Sequence, residues 1–269
     1  MKPNSLIPLF LFGIISGFIP TLCSAQDQPS QPPASQVMRH GALGLANLAT
    51  IENNKVIGGF KYDFLEALGK RLGISLTHQA CPFQRCLRSM SDGQLDIMMF
   101  IAVTPERSRY LKYIQIWEIP VKMPFYVRKG EEDRLREYTD LHQLHVGVVN
   151  GYAYFSRFDN DSAIQKSKVM REEQLPKMLQ AGRIDAFVAF GQEHQKLLAT
   201  YPGLVPAPFS HAYSDTALIA IGHTSPFVAL MPEMEQIALE MIQDGTMDKL
   251  WHKHFKHQMP YPSHLRKAN

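Results

Sequence analysis

The chain has 269 residues, 45% of them hydrophobic and 20% charged, with 28 Lys and Arg against 25 Asp and Glu for a net charge of +3. That length suits one large domain or two lobes with separate cores, and the composition is that of an ordinary globular protein. No Lys/Arg block stands out, which argues against nucleic acid or an anionic membrane surface as a partner.

The first 25 residues read as a secretory signal. Lys2 is followed by an uncharged, mostly apolar run from Leu6 to Ile19, and Cys23-Ser24-Ala25 sets small residues where signal peptidase reads, so cleavage is expected after Ala25. The run is shorter than the ~20 residues of a membrane span. An uncleaved anchor helix is one alternative. A lipid on Cys23 is another, although Leu22 is not the small residue that lipidation wants before the cysteine. Gln26 to Gln36, rich in Gln, Pro and Ser, reads as a flexible leader, with ordered sequence from Val37. Export would leave Cys81 and Cys86 as a pair in an oxidising compartment, and a disulfide between them is expected. Closing so short a loop stabilises by about 2 kcal/mol on the chain-entropy model.

Further along, Asn53-Asn54 mark a turn before Val56 to Phe60. A helix follows with Phe64, Leu65, Leu68 and Leu72 on one face and Gly73 as its cap. Ile74 to Thr77 alternates like a strand. Phe83 to Met90 reads as a second helix, with Phe83, Cys86, Leu87 and Met90 inward and Gly93 as its stop. Leu95 to Val103 is almost continuously apolar, as in a strand buried on both faces of a parallel sheet. Thr104-Pro105 is predicted to open another helix, Thr as cap and Pro at the first position.

The next stretch repeats this order. His145 to Val149 reads as a strand, Glu172 to Gln180 as a helix with Leu175, Met178 and Leu179 on one face, and Ile184 to Phe190 as a buried strand. Gly93-Gln94-Leu95-Asp96-Ile97 and Gly182-Arg183-Ile184-Asp185-Ala186 share the pattern Gly, polar, aliphatic, Asp, strand, which suggests two duplicated lobes. Met234, Ile237, Ala238, Met241 and Ile242 then follow helical spacing up to Gly245. Asp248 to Phe255 begins a last helix, and the tail from Gln258, with Pro260 and Pro262, reads as irregular.

Enzyme signatures are sparse. The chain holds no Gly-x-Ser-x-Gly elbow, Walker loop, dinucleotide glycine fingerprint or His-Glu-x-x-His motif. Asp159-Asn160-Asp161 lacks the glycine and terminal glutamate of a calcium loop and reads as a polar turn. His252, His254 and His257 lack a completing carboxylate or cysteine nearby and read as basic surface residues. No metal or cofactor is called for.

Six blocks in order carry a resemblance. They are Gly59 to Gly73, Gly93 to Asp96, Thr104-Pro105-Glu106-Arg107, Gly147 to Tyr152, Ala181 to Ala186 and Asp244 to Trp251. Together they resemble the family 3 periplasmic solute-binding proteins, the amino-acid-binding components of ABC importers. The resemblance implies an α/β, two-lobed type II periplasmic binding protein fold, each lobe a mostly parallel sheet flanked by helices. It places lobe one at 37–122 plus 218–259 and lobe two at 123–217, with a tail at 260–269. The crossings fall near Val121 to Phe125 and Asp215 to Leu218, and the lobes rotate about them to enclose a ligand.

In the family the arginine matching Arg107 pairs with the ligand's carboxylate, and a planar guanidinium suits two parallel charge-assisted bonds. Thr104 opens the same segment. Phe100 and Ala102 stand where amino-acid binders usually have polar or hydroxyl residues. The family's aspartate for the ligand's amino group falls at Phe190, with Gln192 and Glu193 close by. The resemblance therefore keeps a carboxylate anchor and points to a less polar, even aromatic, carboxylate, or to an amino acid held through Glu193. Pro82-Phe83-x-Arg85 resembles a variant in which Phe83 stacks on the ligand and Arg85 faces the cleft, although Phe83 equally fits a core position. Gly151 offers backbone donors, and Tyr152 would narrow the pocket.

The expected function is periplasmic binding of a small carboxylate-bearing solute by a monomer, for delivery to the membrane subunits of an ABC importer. One alternative is a non-transport enzyme on the same fold, a cyclohexadienyl dehydratase, with Glu193, Asp215 or His211 as its general acid. Another is a ligand-presenting partner of a membrane sensor.

Overall fold

The computed structural model describes residues 37–45, 47–189, 198–256 and 259. The predicted signal (1–25), the leader (26–36) and the tail (260–269) lie outside the described residues. Among these residues ten strands are joined in one sheet in the order β2-β3-β4-β1-β5-β10-β6-β9-β7-β8. In chain order these are β1 (Met38–Ala42), β2 (Thr50–Glu52), β3 (Lys55–Gly58), β4 (Leu76–Ala80), β5 (Ile97–Met99), β6 (Leu111–Arg128), β7 (His145–Val149), β8 (Gln165–Val169), β9 (Ala186–Val188) and β10 (Leu204–Gly222). The helices are α1 (Phe60–Leu72), α2 (Phe83–Ser91), α3 (Ser156–Asn160), α4 (Gln174–Gln180), α5 (Met231–Gln243) and α6 (Thr246–Phe255).

The sheet is two copies of one arrangement. In the first, β1 lies between β4 and β5, parallel to both. In the second, β7 lies between β8 and β9, again parallel to both. The long strands β6 and β10 pair with each other antiparallel and join the halves, β10 beside β5 and β6 beside β9. Their register slips at Ala217/Leu218, inside the second expected crossing, and again between Pro206 and Ser210. The result is the two-lobed α/β fold expected from the sequence.

The repeat extends to single hydrogen bonds. Gly93 and Gly182 take φ of 69° and 68°, the left-handed region where glycine carries no Cβ penalty. Three residues on, Asp96 N–H donates to Arg39 O at 2.8 Å, and its carboxylate accepts from Arg39 N–H at 2.8 Å. Asp185 does the same with His145, at 2.8 and 2.9 Å. Each aspartate thus ties the strand after the glycine to the central strand of its lobe. Asp96 is the more deeply set. It also accepts from Arg39 Nε and Nη2 and from Ser225 Oγ. Burial raises its pKa, and these bonds outweigh burial and hold it below the usual carboxylate range.

Each lobe has its own core. α1 buries Phe60, Phe64, Leu65 and Leu68 against α5 and α6, whose Met234, Met241, Met247 and Trp251 close the same cluster. In the second half, Phe125, Leu141, Val146, Phe158 and Val188 form a separate cluster. Full burial of such side chains contributes roughly 1.5–3 kcal/mol each. Cys81 and Cys86 are disulfide-bonded, as expected, with Cα atoms 5.6 Å apart.

Several predicted elements are shorter or displaced. The strand expected at Ile74 to Thr77 begins at Leu76, because Ile74 N–H is taken by Gly69 O in the cap of α1. The run Leu95 to Val103 yields only Ile97–Met99. Leu95 N–H turns back to Ser89 O, and Phe100 leaves the strand at φ 61°. No α-helix follows Thr104-Pro105. Thr104 Oγ1 accepts from Arg107 N–H at 3.2 Å, but only a 3-10 turn (Arg107–Arg109) forms before β6. The strand expected at Ile184 to Phe190 is Ala186–Val188. α4 starts at Gln174, whose side chain accepts from the N–H groups of Met170 and Arg171. His254 is not a loose surface residue: its Nε2 lies 2.6 Å from Asp63 Oδ2, joining α6 to α1. His257 lies outside the described residues.

Candidate functional site

In each lobe the three parallel strands point their C-terminal ends the same way, and the segments that leave those ends carry the candidate residues. Ligand crevices in open α/β sheets form at such ends. From the first lobe come Leu43-Gly44 after β1, Ala80 to Phe83 after β4 and Phe100 to Arg107 after β5. From the second come Gly151-Tyr152 after β7 and Met170 to Glu173 after β8. Side chains of these two sets meet.

Arg107 makes the central contact. It is 5% exposed. Its Nη1 donates to Ala102 O at 2.9 Å, in its own lobe, and its Nη2 to Gly151 O at 2.6 Å, in the other. The Thr104 hydroxyl holds its backbone, and the Ala102 carbonyl also accepts from Tyr113 OH at 3.5 Å. Among the described residues no carboxylate lies in ion-pair range of Arg107. Burial lowers its pKa, while the phenols of Tyr113 and Tyr110 and the carboxylates of Glu106 and Asp159 pull the other way. A guanidinium has five donors, and the two carbonyls use one each of Nη1 and Nη2. The buried positive charge keeps donors to spare.

Phe83 and Tyr152 form the second bridge. Their rings meet edge to face at a centroid distance of 4.8 Å, and the Arg107 guanidinium lies 5.3 Å from the Phe83 centroid. Phe83 is both core and cleft residue: it belongs to a first-lobe cluster and also lines a cavity between the lobes. Tyr152 packs on the same cluster, and burial holds its hydroxyl well above the ordinary phenol pKa of 10, with Glu172's charge adding to the shift. Gly151 sits at φ 82°, and a Cβ there would stand 1.9 Å from Gln84 Nε2. The glycine therefore serves close approach of the lobes as well as the turn.

The remaining predicted residues are less central. Phe100 packs half-buried on Phe60 and Trp117, with Lys61 Nζ 5.2 Å from its ring centroid. It props the lobe-one core beside the cleft. Ala102 is exposed and enters through its carbonyl. Arg85 is exposed on α2, and among the described contacts none joins it to Arg107. Phe190 and Glu193 lie outside the described residues, as does Gln192.

Arg107, Gly151 and Tyr152 do not line this cavity; of the site residues singled out from the sequence only Cys81 and Phe83 do. The cavity measures about 290 Å³ and is closed on the second-lobe side by Met170 to Glu173. Glu172 is 5% exposed there, whereas Arg171 and Glu173 are exposed. The duplicated element order held a signal for this turn. It follows β8 as the Ala80 to Phe83 turn follows β4, and only the first was singled out.

Comparison with known proteins gives the same picture. The model of the bacterial extracellular solute-binding proteins, family 3, matches residues 45–257. No curated protein sequence matches. Among solved structures, the substrate-binding protein of an amino acid ABC transporter has a TM-score of 0.69 at 19% identity, covering 82% of this chain and 100% of that one. An ancestral arginine-binding protein bound to arginine has a TM-score of 0.70 at 21% identity, over 83% and 100%. An amino acid ABC transporter substrate-binding protein from Streptococcus pneumoniae, bound to L-arginine, has 0.68 at 19%, over 82% and 94%. At such identities the likeness concerns the fold.

Proposed function

The chain belongs to the bacterial extracellular solute-binding proteins of family 3, and we propose that it binds a small carboxylate-bearing solute between its lobes and delivers it to an ABC importer. One observation carries this reading. Arg107 is a buried cation at the meeting point of both lobes, and among the described residues it has no carboxylate partner. A buried charge is costly unless paired. An incoming carboxylate supplies the missing charge and accepts from the donors that Ala102 and Gly151 leave over.

Lobe one comprises 37–122 plus 218–259 and lobe two 123–217. Closure takes place about the crossings near Val121 to Phe125 and Asp215 to Leu218. Closure brings Gly151 and Tyr152 over Arg107 and so couples ligand capture to lobe position. The apolar run and cleavage pattern of residues 1–25 support export to the periplasm, where an importer's membrane subunits would receive the loaded protein as a monomer.

The test is to unfold the purified mature protein mildly and identify by mass spectrometry what it releases, with a thermal-shift panel of organic acids and amino acids beside it. A solute at 100 times its dissociation constant adds about 2.7 kcal/mol of stability. A carboxylate-bearing solute is expected. Recovery of a solute without a carboxylate overturns the reading, and turnover of prephenate or arogenate would move the protein to the enzyme class.

A further inference from the structure

We propose that the Cys81–Cys86 disulfide is a positioning element of the cleft, and that solute affinity therefore depends on its redox state, high with the bond formed and lower with both thiols free. This rests on the reading of the cleft as the binding site and adds a lobe-one support that the solute need not touch.

The residues inside the disulfide loop are Pro82 to Arg85. Two of them make the lobe-one side of the contact with Gly151-Tyr152. Phe83 meets the Tyr152 ring edge to face at 4.8 Å and has the Arg107 guanidinium 5.3 Å from its centroid. Gln84 lies against Gly151, where a Cβ would stand 1.9 Å from its Nε2. Gly151 is also the residue whose carbonyl accepts from Arg107 Nη2. The loop thus carries side chains that flank the arginine's link to the second lobe.

Phe83 and Gln84 open α2, and a first helical turn frays unless something fixes it. Pro82 stands at the N-cap of α2, which has no side-chain capping bond. The cysteines anchor the turn at both ends instead. Cys81 N–H donates to Ala42 O at 3.0 Å, at the end of β1. Cys86 is fully buried with Leu87, Met90, Leu95 and Met98, and its N–H donates to Pro82 O at 3.0 Å. The disulfide joins these two anchors across the turn. With the bond broken, Phe83 and Gln84 must be ordered at each closure, and ordering two side chains weakens binding by about tenfold.

Cys81 lines the cavity between the lobes, whereas Cys86 is fully buried, so a thiolate reaches the bond from the cleft. A dithiol such as dithiothreitol supplies two electrons and two protons. The Cys81–Cys86 bond breaks to two thiols, and the dithiol closes to a cyclic disulfide.

Calorimetry tests this on the mature protein, oxidised and dithiothreitol-reduced, and on Cys81→Ala/Cys86→Ala. The probes are the standard L-amino acids and the matching acids without an amino group. Reduction and the double substitution should each raise Kd about tenfold, with a cooperative melt retained. In Phe83→Leu/Gln84→Ala the oxidised and reduced forms should bind alike, because the side chains through which the disulfide acts are changed. A bond that only holds the fold together would keep its effect there. Equal Kd for oxidised and reduced wild type, or a redox dependence that survives in Phe83→Leu/Gln84→Ala, overturns the proposal, while the Arg107 reading stands as long as a carboxylate binds. If no carboxylate binds either form, the reading of the cleft falls and the proposal with it. Should the double cysteine variant not fold, the reduced wild type decides. A reduced wild type that has lost its cooperative melt makes the bond a fold support and overturns the proposal.

Discussion

His40 sits in the middle of β1, fully buried, with its Nδ1 2.9 Å from Nδ1 of His78 across the β1–β4 pair. His78 Nε2 lies in turn 2.8 Å from Glu66 Oε1. His40 Nε2 is buried with no hydrogen-bond partner among the described residues. The favoured arrangement has His40 donating from Nδ1 to His78, and His78 donating from Nε2 to Glu66. It leaves a bare lone pair rather than an N–H unsatisfied at His40 Nε2. Burial first, then the fields of His78 and Lys61, hold the His40 pKa well below 6.5. In the unfolded chain the same imidazole titrates near 6.5. The unfolded state therefore binds more protons at acid pH, so this contribution to stability is complete above about 6.5 and is lost as the pH falls below it. Between pH 7 and 5.5 the loss from one histidine kept neutral is about 1.3 kcal/mol, or roughly 3–5 °C in Tm for a chain of this size. The assay is urea unfolding of wild type and His40→Asn at both pH values, the Asn amide retaining a donor toward His78. The wild type should lose about 1.3 kcal/mol more than the variant. Equal losses would refute the assignment of a neutral buried imidazole.

Gly151→Ala places a Cβ against Gln84 and forces a side chain to φ 82°. The backbone alone should cost about 1–2 kcal/mol of stability, and adding Gln84→Ala should relieve the contact but not that backbone term; full rescue in thermal unfolding would show that the contact alone matters. The repeated joints should differ in weight. Asp96→Ala removes the buried carboxylate that accepts from Arg39 N–H, Nε and Nη2 and from Ser225 Oγ, leaving the Arg39 side chain only Gly93 O among the described residues, and should cost about 2–3 kcal/mol, whereas Asp185, more accessible, should cost about 1–2 kcal/mol as Asp185→Ala. Denaturant titration checks both, and the reverse order would contradict the structural ranking.

The sequence exposed those features that local spacing encodes. The glycine–aspartate joints were legible because a left-handed glycine and an aspartate three residues on are one local device, used in each lobe. α1, α2 and α5 were legible from their buried faces. Arg107 stands out in the sequence through its Thr-x-x-Arg segment, although the helix expected around it is a single 3-10 turn: Phe100 leaves β5 early and β6 begins at Leu111. The contacts that make the cleft had no such local signature. Gly151 O on Arg107, Gln84 against Gly151 and Tyr152 on Phe83 arise from packing between lobes. Glu172 read as the first residue of a helix, and its inward position became visible only when Gln174 capped the turn and α4 began two residues later.

Arg107 is proposed to hold a carboxylate between the lobes. The most direct measurement is calorimetric titration of wild type and Arg107→Ala with the carboxylate solute that the wild type releases on unfolding, or that stabilises it most in the thermal panel. Loss of one partner of a buried charge pair predicts weakening by about 2–5 kcal/mol, from thirtyfold to several thousandfold in Kd. An Arg107→Ala protein that melts cooperatively and binds that solute with unchanged affinity would contradict the account.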